Sequence, residues 1–235
     1  MTRDSHPYDV LFRDDDVIVV NKTPGLLSQS DRSGDPDLLT LLSFEIGRPV
    51  FPVHRLDRGV GGLVVVAQNE RAAGVLSAHL SGENDSFRKE YVAVVHGRFD
   101  EASGVLSDLL LREERRRITS VVTAGTPGAK PARLGYRVLS ETDLDGRTFS
   151  LVAVRLFTGR THQIRAQLSH AGHPVAGDGR YGARDRFPPL ALFSSYLSFQ
   201  HPKTKEKLVF SAVPTMPPFD RFVIPPAGEK GFFDD

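Results

Sequence analysis

Short apolar runs punctuated by acidic turns and glycines set the pattern of this chain. Val10-Leu11-Phe12, then Asp14-Asp15-Asp16, then Val17-Ile18-Val19-Val20 predict a strand, a tight acidic turn and a second strand. Lys22-Thr23-Pro24-Gly25 closes that strand as a turn, because proline presets φ and glycine admits positive φ. Asp35-Pro36-Asp37 opens a helix with Leu38, Leu39, Leu42 and Ile46 at helical spacing. The continuous run Leu63–Ala67 predicts a buried strand. Glu70–Leu80 then reads as a helix that turns Val75, Leu76 and Leu80 inward.

Phe87–Val95 alternates as a strand should, with Tyr91, Ala93 and Val95 on one face and Val92 and Val94 on the other. Segments 104–111, 117–123, 133–139 and 148–157 are β-rich and separated by Gly, Asp or Pro breaks, and 123–130 reads as a mobile loop. Thr161 is placed to cap a helix with apolar members Ile164, Leu168 and Ala171, ended by Gly172. Strands near 191–199 and 206–212 complete the core, and Pro217-Pro218 and Pro225-Pro226 mark an extended tail that frays at 229–235. The order is neither a βαβ alternation nor all-β. It predicts an α+β domain, a large mixed sheet with a few helices packed on it.

Composition narrows the function classes. With 235 residues, 40% hydrophobic and 25% charged, the chain has the makeup of a globular protein with a substantial core. The first residues carry no apolar signal-like stretch, and no apolar run approaches ~20 residues, which argues against a membrane span. Zero cysteines exclude disulfides and thiolate chemistry and fit a cytoplasmic location. Net charge is only +1, but Arg112–Arg117 holds four arginines against two glutamates, and Arg160–Arg186 five arginines against Asp178 and Asp185. Such local patches are what nucleic-acid binding requires. The chain shows no phosphate-loop glycine pattern, so a nucleotide cofactor is not expected. His170 and His173 have ligand-like spacing, but Gly172 interrupts the helix between them and no third ligand is in frame.

The chemistry concentrates in His54-Arg55-Leu56-Asp57-Arg58, followed by Gly59-Val60-Gly61-Gly62 and the buried run. Arg55 and Arg58 flank Asp57 and favour its ionised form, as a nucleophile or base would need, and the glycines admit a large ligand. In Arg160-Thr161-His162-Gln163-Ile164-Arg165, His162 and Arg165 fall on one face of the expected helix. Arg165 sits at the edge of the core stripe, where a guanidinium calls for a carboxylate partner. Tyr91 is a packed strand tyrosine or a ring face for base stacking.

Taken together, these blocks resemble the RluA-type family of RNA pseudouridine synthases over about residues 10–214. The match runs in order through Asn21–Gly25, His54–Arg58, Lys89–Gly97, Thr158–Arg165, Gly172–Asp178 with Tyr181-Gly182, and Leu197–Pro202. The resemblance implies a curved, mostly antiparallel mixed sheet with flanking helices. It also implies a cofactor-free and metal-free isomerase that detaches uracil from C1′ of a uridine in ribosomal or transfer RNA and rejoins it through C5. Asp57 would be the catalytic carboxylate, Arg165 its charge partner and Tyr91 the stacking group. Arg55 would fill the space of the flipped base, while His54, Arg58, Lys22, Arg160 and His162 would contact RNA.

On this reading residues 1–9 are an extension, 10–214 the catalytic domain and 215–235 a tail, with no room before residue 10 for a separate RNA-binding domain. The expected partner is RNA, with no membrane, and the lack of an apolar surface stripe favours a monomer. Where the family has Thr-Ser-Gly after the aspartate block, this chain has Val60-Gly61-Gly62, which predicts a looser loop. The rival expectation is a catalytically weakened RNA-binding or RNA-remodelling protein on the same scaffold.

Overall fold

The computed structural model describes residues 7–82, 86–185, 187–228 and 231–233. The chain divides into two compact units: Met1–Lys89 with Ser194–Ala212, and Glu90–Phe193 with Val213–Asp235. The architecture is α+β, and its strand pairings are predominantly antiparallel.

In the first unit β1 (Tyr8–Arg13) pairs with β2 (Val17–Lys22), and β2 with β4 (Gly61–Ala67). Beyond β4 lies β10 (Leu192–Gln200), which pairs in turn with β11 (Lys207–Ser211). The Asp14 carboxylate makes the acidic turn by accepting the amides of Asp16 and Val17, both at 2.8 Å. Every residue of β4 is buried, as its unbroken apolar run requires. Its side chains Leu63, Val65 and Ala67 pack with Val17, Val19, Ala72, Leu76, Phe87, Leu197 and Phe199. Each such Val or Leu contributes on the order of 1.5–3 kcal/mol by leaving water.

Helix α1 (Leu38–Ile46) starts at Asp37, whose carboxylate accepts from Thr40 N, and ends at Gly47 in the left-handed region at φ 77°. Helix α2 (Glu70–Ser81) is capped by Asn69 and buries Ala72 and Leu76; Ala72 takes the inward place expected of Val75. The two-residue strand β3 (Phe51–Pro52) on β4 is too short to leave a periodic signal.

The second unit orders its strands β5 (Phe87–His96), β9 (Arg147–Leu156), β8 (Lys130–Leu144), β6 (Ser103–Glu113) and β7 (Ile118–Val122). Between β7 and β8, two successive tight turns (Thr126 N to Thr123 O, Ala129 N to Thr126 O) fold the segment expected to be mobile. Helix α3 (Gln163–His170) lays Ala166 against Leu110, Ala132 and Tyr181.

Two expectations for α3 fail. The cap residue is His162 rather than Thr161, with left-handed backbone (φ 54°) and no side-chain capping bond. His162 therefore lies outside the helix and does not share a helical face with Arg165. Ala171, assigned to the apolar stripe, is the exposed C-cap.

The tail also departs from expectation. Phe219 and Phe232 are buried, and a short 3-10 turn spans Phe219–Arg221. Phe232 N donates to Glu90 Oε2 at 2.6 Å, fastening the described end of the chain to β5. Gly231 has φ 81°, and a β-carbon there would come within 2.6 Å of the same carboxylate.

Candidate active site

The loop bearing Asp57 is held from both sides by the turn that follows β2. Ser28 Oγ donates to Leu56 O at 2.9 Å and accepts from Leu56 N at 3.0 Å, while Gly25 N donates to Arg58 O at 2.7 Å. Val60 N then closes a tight turn onto Asp57 O at 3.0 Å, and Val60 itself is buried. This turn is firm where the sequence suggested looseness. Gly61 and Gly62 are the first residues of β4, and Gly62 sits at φ 111° with Ser194 so close that a β-carbon would lie 2.3 Å from its carbonyl oxygen. The glycine at 62 answers a packing demand, and Asp57 is left half-exposed at the loop's apex.

Arg58 does not turn back on Asp57. Its Nη1 meets Asp35 Oδ2 at 2.6 Å and its Nε meets Gly25 O at 3.1 Å, both on the exposed surface, where an ion pair contributes little energy. Arg55 is exposed.

Lys22 is fully buried and donates to the carbonyls of Thr23 at 3.0 Å and Leu26 at 2.8 Å. Burial pushes its ammonium down to about 8, and the Asp57 charge opposes that shift. Lys22 therefore sits where it can act on Asp57, and not on the surface where an RNA phosphate would meet it.

His54 is half-buried. Its Nε2 accepts from Val65 N at 3.2 Å, which leaves the proton on Nδ1, and its ring stands edge-on to Phe87. Burial, with the Lys89 charge as a lesser cause, drives its pKa well below the usual histidine value. His54 supports β4 through this bond.

In the second unit, Tyr91 is buried on β5 opposite Val154 of β9. Arg165 finds its carboxylate in Asp178: Nε to Oδ2 at 2.6 Å and Nη2 to Oδ1 at 2.8 Å. The Arg165 guanidinium also stacks 4.8 Å from the centre of the Tyr181 ring. Tyr181 bonds His162 Nδ1 and accepts from Thr119 N, both at 2.9 Å, and burial raises its pKa. Arg160 is exposed; its N–H reaches Gln163 Oε1 and its Nε reaches Pro131 O.

Asp178 and Tyr181 were present in the sequence blocks but had no role there. Their signal was the short spacing that folds 178–182 back under α3. Among the described residues, no three His, Asp or Glu side chains converge as a metal site would need.

The chain matches the model of the family described as RNA pseudouridylate synthase over residues 16–170. It is 32% identical over 224 residues to tRNA pseudouridine synthase C of Haemophilus ducreyi, covering 87% of this chain and 90% of the relative. It is 34% identical over 229 residues to ribosomal large subunit pseudouridine synthase D of Vibrio parahaemolyticus, covering 88% and 67%. Among solved structures, the human protein RNA Pseudouridylate Synthase Domain Containing 1 superposes with a TM-score of 0.74 at 27% identity, over 88% of this chain and 84% of that one. Sequence blocks, fold and relatives agree, and the chain belongs to the RNA pseudouridylate synthase family, isomerases that act on RNA.

Proposed function

We propose that this protein converts uridines in transfer or ribosomal RNA to pseudouridine, with Asp57 as its catalytic carboxylate. The observation that carries the assignment is the presentation of Asp57. It stands half-exposed on a turn fixed by four backbone-directed hydrogen bonds, with the buried Lys22 ammonium acting on its charge. A rigid, partly solvated carboxylate is suited to act at C1′ of a bound nucleotide.

The reaction is an isomerisation in which the C1′–N1 bond breaks and a C1′–C5 bond forms. The proton on C5 is lost and N1 regains one, so no electrons enter or leave. Tyr91 offers its ring to the target base, and Arg165, fixed by Asp178, supplies positive charge. Arg55 is exposed and suited to enter the base stack when the uridine leaves it. Arg160 and His162 are the proposed phosphate or base contacts. The same reading places the protein in the cytoplasm with its RNA, acting as a monomer, which light scattering on the purified chain tests.

The decisive experiment is tritium release from RNA labelled at C5 of uridine, with transfer and ribosomal RNA taken from a strain lacking the gene. The wild-type protein should release tritium at a single site that carbodiimide mapping identifies, and Asp57→Asn should release none. Equal release by the two proteins removes Asp57 from the mechanism, and no release by the wild type on either RNA ends the proposal.

A further inference from the structure

The strongest unassigned surface lies at the end of β9. Cross-strand pairing of Gly135 with Arg155 places Arg133, Gly135, Arg155 and Phe157 on one face of the β8–β9 ladder. Tyr91 pairs with Val154, so it looks out from the opposite face, the one on which α3 packs.

Phe157 leaves 45% of its surface exposed at the rim of this face. Two guanidinium groups attend it: Arg133 Cζ lies 4.6 Å and Arg155 Cζ 5.6 Å from the ring centre. Gly135 is buried beside the ring, where a β-carbon would sit 3.5 Å from Phe157 Cε2 and 3.6 Å from Phe233 Cε1, so the two phenylalanine rings share this face.

We propose that Phe157, Arg133 and Arg155 form a second RNA subsite, which stacks a base and binds the phosphates of single-stranded nucleotides flanking the target uridine. The inference rests on the RNA-modifying reading and goes beyond it, because this face does not carry Tyr91. An exposed π-face bordered by guanidinium groups is the chemistry that single-stranded RNA recognises with little regard to sequence. Carboxylate-rich partners would meet the same charge but would gain nothing from the ring.

The patch is continuous with the proposed contacts. Phe157 N donates to Arg133 O at 3.1 Å, Gln163 Nε2 at the start of α3 donates to the same oxygen, and Arg160 Nε donates to Pro131 O. Arg160 and Phe157 thus both anchor on the segment 131–133.

The test is equilibrium binding of a fluorescein-labelled single-stranded 20-mer of uridine across a salt series, together with tritium release. Phe157→Leu keeps an apolar side chain in place and should weaken the 20-mer about tenfold. Removing Arg133 and Arg155 as glutamines should flatten the salt slope by about 0.7 for each arginine. In tritium release both changes should raise KM with kcat retained. Phe44→Ala, a 90% exposed ring on α1, is the control and should alter none of these values.

Unchanged affinity and slope in the Phe157 and arginine variants overturn the proposal, as does failure of the wild type to bind the 20-mer. A wild type that isomerises RNA while the variants behave normally removes the subsite alone. Binding that depends on Phe157 in a protein that releases no tritium removes the catalytic reading and leaves the subsite.

Discussion

Arg165 and Asp178 meet through two parallel hydrogen bonds, with only 10% and 2% of their side chains exposed. A guanidinium buried on α3 is tolerable because this carboxylate neutralises it in the fork geometry that arginine prefers. Asp178→Ala should therefore destabilise the protein by about 3–5 kcal/mol, the usual consequence of breaking a buried pair from one side. Urea unfolding monitors that loss. Asp178→Asn keeps the shape and should fold, but with kcat lowered more than KM if the carboxylate's role is to aim Arg165.

Lys22 makes a prediction about pH. Its folded pKa of about 8 lies below the ordinary lysine value of 10.5, so between those values the unfolded chain holds a proton that the folded chain has lost. Stability contributed by this group rises with pH across that window, by about 3 kcal/mol in full. The gain should be smaller in Lys22→Met when urea midpoints at pH 7.5 and 10 are compared. Asp57→Asn removes the charge that holds the lysine up, and NMR titration of labelled lysine should then find Lys22 below its wild-type value.

Activity should follow the same group. As pH rises through about 8 the ammonium near Asp57 is discharged. The kcat profile on labelled RNA should fall on that limb, and Lys22→Met should show a low, flat profile there.

Gly62 tests the rigidity of the catalytic loop. Gly62→Ala places a β-carbon against Ser194 O at a backbone angle that L-residues avoid. The expected cost is about 3 kcal/mol, read as a lowered urea midpoint, with tritium release reduced in the fraction that remains folded.

The tail supplies the last prediction. Truncation after Gly228 removes the Phe232 amide from the Glu90 carboxylate. Losing one bond to a charged, buried group costs about 1.5–3 kcal/mol. Because Glu90 adjoins Tyr91, hydrogen exchange along β5 should quicken, and a tail without structural purpose would leave it unchanged.

Much of this was legible in the residues. Leu63–Ala67 is a buried strand, as five apolar residues in a row after a glycine turn suggest, and Asp37 caps its helix by the ordinary chemistry of a short polar side chain. The start of α3 was not legible: Thr161 is a better cap by type than His162, but the His162–Tyr181 bond and the burial of Gln163 decide the geometry from outside the segment.

The site shows the same division. Asp57 is marked by its own neighbours, whereas the burial of Lys22 and His54 depends on side chains from other strands. Asp178 as the anchor of Arg165 depends on a loop closing 13 residues downstream. The tail read as polar and frayed because its two useful residues, Gly231 and Phe232, act on Glu90, 142 positions from the latter.

The close approach of Gly62 to Ser194 also bears on how the protein is made. Ser194 Oγ donates to Leu63 O across a separation of 131 residues, so β4 receives this neighbour only after more than half of the chain has followed it out of the ribosome. At about 5–20 residues per second, the catalytic loop waits many seconds with its apolar strand open on one side. A prematurely terminated polypeptide would carry the complete Asp57 segment and still lack the support that sets it. Synthesis through Ser194 thus precedes the packing that holds the Asp57 segment in place.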